Sequence, residues 1–171
     1  MTPSAALRAL LLEALQLKEL PRAGWVRAGV PAPESVAAHS WGVAWLALVL
    51  CPPGLDRGRV LAMAVLHDLA EVRAGDLTPA DGVSAAEKSR REATALRALL
   101  APLGNAAELW ALWQESEARH SPEARFVRAC DKLDLALQAR RYGALHGLDL
   151  VEFVDSALGE LGESELTALI G

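Results

Sequence analysis

The chain has only two cysteines in 171 residues, Cys51 and Cys130, far apart and without a Cys-x-x-Cys spacing. That argues against a disulfide-stapled scaffold and against a cysteine zinc site, and leaves the reduced thiols of a cytoplasmic protein as the simple reading. Aromatics are few beyond five tryptophans, and β-branched runs are scarce. Strands therefore have little support, whereas the wealth of Ala and Leu favours an all-α protein. Long apolar runs are missing too. The most apolar stretch, Ser40 to Cys51, falls short of the ~20 residues that a bilayer span needs. The leucine-rich start, Ala5 to Leu17, is interrupted by Arg8 and Glu13 and has no signal-peptide cleavage site. Lysine occurs only at 18, 88 and 132, and the formal net charge is −5. That balance argues against broad binding of nucleic-acid polymers or acidic membranes.

What is present is helical periodicity in a chain of single-domain length. Pro3 suits the first turn of a helix whose Leu7, Leu10, Leu11, Ala14 and Leu17 form a core-facing stripe. Gly24, Gly29, Pro31 and Pro33 make residues 21–33 a loop, in which Arg22 and Trp25 are an unusual pair. Trp25 as a loop anchor and a solvated Arg22 are the plain reading; a guanidinium for phosphate with an aromatic for a base or sugar is the functional one. Ser35 caps a helix with His39, Val43, Leu46 and Leu50 on one stripe, and Asp56 caps the next. Ser84 with Glu87 starts another, on which Arg90, Arg91 and Glu92 read as a solvated face. A further helix spans 106–117, with Leu109, Leu112 and Trp113 inward. Ser121-Pro122 opens one carrying Ala124, Val127, Asp131 and Leu135 at 3–4 spacing. Two final helices cover about 150–161 and 163–170.

The stretch Leu66-His67-Asp68-Leu69-Ala70-Glu71 sets a histidine and two carboxylates into this apolar pattern. Leu61, Ala64 and Val65 lead into it, and extending their stripe by three reaches Asp68. A carboxylate on a buried stripe needs a cationic partner, and a metal ion beside His67 would supply one. A lone His-Asp pair is common and a lone inward histidine is usually a core residue. Here His39 and Asp131 add a second histidine and a second carboxylate on core-facing stripes, which packing alone explains poorly. Asp76, after Gly75 in a turn-rich loop, is either a turn carboxylate or a group reaching into a cleft.

The order His39 … His67-Asp68 … Asp131 resembles that of the HD-domain metal-dependent phosphohydrolases. The blocks Pro21–Val26, Pro33–Ser40, Val65–Glu71, Gly75–Asp81 and Glu123–Lys132 resemble the 5′-deoxynucleotidase branch, over roughly residues 7 to 142. The resemblance implies a single HD domain over residues 1–171, a helical bundle with a metal-binding core of about 35–142 and C-terminal helices over 149–170. It implies one divalent ion held by His39, His67, Asp68 and Asp131, with Glu71 and Asp76 as acids near the phosphate and the attacking water. Mixed nitrogen and oxygen ligation suits Mn, Co, Fe, Ni, Zn or Mg without choosing among them. Arg22 and Trp25 match the family's phosphate and sugar contacts. Ser116 stands where close relatives often have tyrosine, and His120 is either a substrate contact or a surface residue.

The expected reaction is hydrolysis of deoxyribonucleoside 5′-monophosphates to deoxynucleoside and phosphate by a metal-activated water. The alternatives are an HD phosphohydrolase acting on another nucleotide or phosphomonoester, and a non-catalytic nucleotide-binding module. The resemblance also implies a homodimer, which the apolar C-terminal helices would permit.

Overall fold

The computed structural model describes residues 2–171. Nine α-helices, separated by short 3-10 turns, make up the described chain, and no strand is found in it. They are α1 (Pro3–Ala14), α2 (Ala23–Arg27), α3 (Val36–Leu50), α4 (Arg57–Leu66), α5 (Glu71–Ala74), α6 (Ala85–Leu100), α7 (Ala106–Ala118), α8 (Pro122–His146) and α9 (Val151–Leu161). The helix starts are locally encoded. Ser35, Asp56, Ser84 and Ser121 each accept a hydrogen bond from the backbone N–H three residues on, satisfying a donor that the first turn leaves free. No helix is long and apolar enough to cross a membrane.

The long helix α8 is the axis, packing against α3, α4, α7 and α9. It serves two apolar clusters in succession. Ala124, Val127 and Cys130 join Val43, Met63, Ala64, Leu96 and Trp113 in the first. Leu133, Ala136, Ala139 and Tyr142 join Trp25, Val154 and Ala157 in the second. Asp131 lies on α8 where one cluster gives way to the other, so the polar centre occupies a seam between two hydrophobic cores.

Several stripes differ from the sequence expectation. Leu10 and Leu17 are buried, but Leu7 and Leu11 of α1 are exposed, so only part of the expected stripe faces the core. On α4 the buried face is Val60, Met63, Ala64 and Leu66, while Val65 is 66 % exposed. Residues 21–33 contain the short helix α2, whose Trp25 is buried. Glu92 is buried and ion-paired to Lys88 rather than solvated. The C-terminal apolar face is not free either: Val154, Ala157 and Leu161 are buried, chiefly against α8.

Candidate active site

His67-Asp68 does not lie within one continuous helix. Helix α4 ends at Leu66, and four turn residues separate it from α5. The turn is tight: Leu69 N–H donates to Leu66 C=O and Glu71 N–H to Asp68 C=O, both at i−3 spacing. This bend, rather than an extended stripe, swings Asp68 inward beside His67. Helix α3 brings His39 and α8 brings Asp131 to the same point.

His39, His67 and Asp131 converge, and Asp68 stands beside the two histidines. Donor atoms of His39, His67 and Asp131 all lie within 4.8 Å of one another. Asp68 Oδ2 is 3.1 Å from His67 Nε2 and 3.6 Å from His39 Nε2, and Asp131 Oδ1 is 3.3 Å from His39 Nε2. Ligands bound about 2.1 Å from one ion stand about 3–4 Å apart, so these spacings fit a shared cation. The imidazoles are aimed for it. His39 Nδ1 is 2.7 Å from Asp134 Oδ2, and His67 Nδ1 is 2.7 Å from Ala64 C=O. Each partner is an acceptor, so Nδ1 carries a proton, and in the neutral ring Nε2 turns its lone pair inward. Both Nε2 atoms are buried without a hydrogen-bond partner, a costly state that a metal ion would relieve. The donor set therefore fits a divalent ion. Glu34, His39 and Asp134 also bring donor atoms together, but there His39 Nδ1 is hydrogen-bonded to Asp134 and Glu34 Oε1 accepts from Trp25 Nε1 at 3.0 Å.

Electrostatics agree with the geometry. Burial pulls His39 down, as does the Arg22 charge, yet without an ion in the centre the neighbouring Asp131 and Asp134 carboxylates lift it to about 9. Burial likewise opposes ionisation of Asp68 and Asp131, but Asp68 is held far down by His67, His39 and Arg22. For Asp131 the counterweights are His39, Lys132 and Arg128.

Glu71 lies at the start of α5, 3 % exposed, with Oε2 unpartnered. Burial, reinforced by the Asp68 and Asp76 charges, pushes its carboxyl up to about 10; a cation beside it would act in the opposite sense. Asp76 Oδ2 accepts from Ala23 N–H at 2.7 Å, tying its loop to the start of α2. Arg22 Nη1 is 3.5 Å from Asp68 Oδ2. Its segment is pinned by Arg22 N–H donating to Glu34 C=O. Trp25 is only 1 % exposed, packed on Tyr142 and Phe153. Its indole is first a core anchor, although it also borders the cavity.

That cavity, about 1000 Å³, is lined by Arg22, Trp25, His67, Asp68, Glu71, Asp76 and Asp131 among others, ample for a small phosphorylated metabolite. His39 lies behind them, 1 % exposed. Ser116 and Glu117 line the wall; His120 does not. Asp134, Lys88 and Arg128 also belong to the site, and no motif in the sequence marks them. Lys88 donates to Leu77 C=O at 2.9 Å and stands 3.7 Å from Glu71 Oε1, bracing the loop and the acid together. Arg128 donates to Asp131 Oδ2 at 2.8 Å, leaving Oδ1 for the centre. The one available signal is spacing: Asp134 follows Asp131 by three and so shares its helix face.

Fold and site together define an all-helical protein built around a centre suited to a metal ion. The HD domain family model matches residues 14–164, and the chain belongs to the HD-domain family. It is similar to the 5′-deoxynucleotidase HDDC2 of Bos taurus, 40 % identical over 159 residues covering 91 % of this chain and 78 % of the relative. A crystal structure of a Pyrococcus horikoshii protein is 36 % identical, with a TM-score of 0.80, and covers 94 % of this chain and 91 % of that one. A structure from Magnetospirillum magnetotacticum, described as a predicted metal-dependent phosphohydrolase, is 32 % identical with a TM-score of 0.76, covering 97 % and 88 %.

Proposed function

We propose that this chain is a metal-dependent 5′-deoxynucleotidase, a phosphomonoester hydrolase that converts deoxyribonucleoside 5′-monophosphates to deoxynucleosides and inorganic phosphate. The observation that carries the reading is the pair of buried, unpartnered imidazole nitrogens facing two aspartates beside a cavity that also holds Glu71 and Asp76. The name of the bovine relative supports the substrate class.

His39, His67, Asp68 and Asp131 would hold one divalent ion, which would supply Lewis acidity toward the phosphoryl oxygen and acidify water. Glu71 accepts the proton of the attacking water, its free Oε2 being the receiving atom. Asp76 orients that water or the sugar while anchoring α2. Arg22 offsets the charge that grows on the phosphate oxygens, and Trp25 holds the wall from which Arg22 projects. The water oxygen bonds to phosphorus, the bond to the 5′ oxygen breaks, and that oxygen leaves with the proton that Glu71 took from the water, which restores the Glu71 carboxylate.

The same proposal covers a single HD domain across the sequence, a cytoplasmic location and a small nucleotide rather than a nucleic-acid polymer, in keeping with the net charge of −5. It includes a homodimer, with a changed seat. Trp41, Trp45, Leu48 and Val49 form one exposed apolar face of α3, and the two indoles stack with ring centroids 6.4 Å apart. A self-complementary contact through α3 would cover this face. The deciding experiment is a phosphate-release screen over ribo- and deoxyribonucleoside 5′-monophosphates with Mn²⁺, Co²⁺ and Mg²⁺. Turnover of the deoxy substrates is expected; equal rates on both sugars would remove the deoxy preference, and silence on all would overturn the enzyme.

A further inference from the structure

We propose that Asp134 is a positioning residue for His39, and that position 42 is glycine because the Asp134 carboxylate occupies the space of a side chain there. The inference rests on the reading of His39 as a metal ligand and extends it to the groups that aim the ring.

Helix α8 sets a carboxylate beside each nitrogen of the His39 ring. Asp131 Oδ1 lies 3.3 Å from Nε2, and Asp134 Oδ2 accepts from Nδ1–H at 2.7 Å. The two aspartates are three residues apart, so a single helix face supplies one group toward the centre and one behind the ring. A carboxylate behind an imidazole fixes its tautomer and orientation and makes Nε2 a stronger ligand. His67 has only a carbonyl in the same role.

Gly42 follows His39 by three on α3, on the side that faces α8. A glycine inside a helix costs about 1 kcal/mol relative to alanine, so some local requirement must justify it. A Cβ at position 42 would lie 2.2 Å from Asp134 Oδ1, 3.0 Å from Cγ and 3.3 Å from Oδ2. Among the described glycines, no other would place a Cβ closer than 3.2 Å to a neighbour. Asp134 is short and its other oxygen is committed to His39, so it cannot yield without releasing the ring. Gly42 and Asp134 are thus one device: the missing side chain on α3 admits the carboxylate from α8.

The test is Co²⁺ binding to the metal-free protein, read as a dissociation constant by competition with a chelating dye, with thermal unfolding of each metal-free variant alongside. Asp134→Ala and Gly42→Ala should each weaken Co²⁺ binding by about 10–100-fold, the usual cost of losing such a partner. Asp134→Asn, whose amide oxygen still accepts from Nδ1–H in nearly the same shape, should recover most of the loss. The double variant Gly42→Ala with Asp134→Ala should bind no more weakly than Asp134→Ala alone, because the colliding group is gone. Wild-type affinity in Asp134→Ala, or losses that multiply in the double variant, would overturn the device. Should Asp134→Ala fail to fold, the Asn variant and the Gly42 comparison still decide the matter. Failure of the wild-type protein to take up Co²⁺, by contrast, would sink the metal reading itself.

Discussion

The centre of this protein and the outer face of α3 break opposite rules of folding. In the centre, polar atoms are buried without partners: His39 Nε2, His67 Nε2 and Glu71 Oε2. On the outer face, Trp41 is 71 % exposed and Trp45 half-exposed. A solvated apolar atom is ordinary, but a contiguous apolar helix face and a nest of unpaired buried nitrogens are both informative. They also differ in cost. An orphaned buried polar group forfeits its hydration with no return, while an exposed indole forfeits only the gain that burial would bring. The centre therefore points to its missing partner, a cation, more strongly than the face points to a second copy.

The largest effect should come from splitting the centre into its parts. Asp68→Ala should abolish both bound metal, read by elemental analysis, and phosphate release. Glu71→Gln should keep the metal and lower kcat by about 10²–10⁴-fold, the usual worth of a proton-transfer group. Unchanged metal content in Asp68→Ala would mean that this carboxylate is not a ligand.

The next effect is a pH dependence confined to the metal-free centre. His39 is raised to about 9 from an ordinary value of 6.5. Below about 6.5 its charge is present in folded and unfolded chains alike, and its favourable contacts with Asp131 and Asp134 stabilise the fold in full. That contribution fades as pH rises from 6.5 through about 9. The unfolding temperature of the metal-free protein should drop across this window, while that of the loaded protein, whose His39 is neutral, should stay flat. Apparent metal affinity should climb over the same range by at most about tenfold per pH unit for this one proton. A flat affinity profile would remove His39 from the ligand set.

The smallest effect on catalysis should come from the face. Trp41→Arg together with Trp45→Arg should shift a dimer to a monomer in light scattering while phosphate release stays within about twofold, since neither indole lines the cavity. A dimer that survives both changes would move the interface elsewhere.

Much of the centre was legible because its evidence is local. His39 and Asp131 stand on helical stripes of their own, and the apolar run before His67-Asp68 announces a helix whose end must be buried. Asp68 was reached for an incomplete reason, since the helix stops at Leu66 and a turn delivers the carboxylate. The stripe through Val65 was out of phase because α4 buries the face of Val60, Met63 and Ala64 instead. Glu92 read as solvated because only the approach of α7 makes its place an interior one.

The sequence by itself determined where helices begin and which residue types could hold a cation, because a cap or an amphipathic stripe depends on neighbours within about four positions. The tertiary structure alone decided which groups stand behind the ligands. Asp134 meets His39 across 95 residues of chain, and Gly42 makes room for it. Asp76 meets the N–H of Ala23 across 53 residues. It also decided which apolar faces stay open, sealing α9 against α8 and leaving the outer face of α3 exposed. Such choices depend on the packing of several helices at once, and no short window of the chain contains that information.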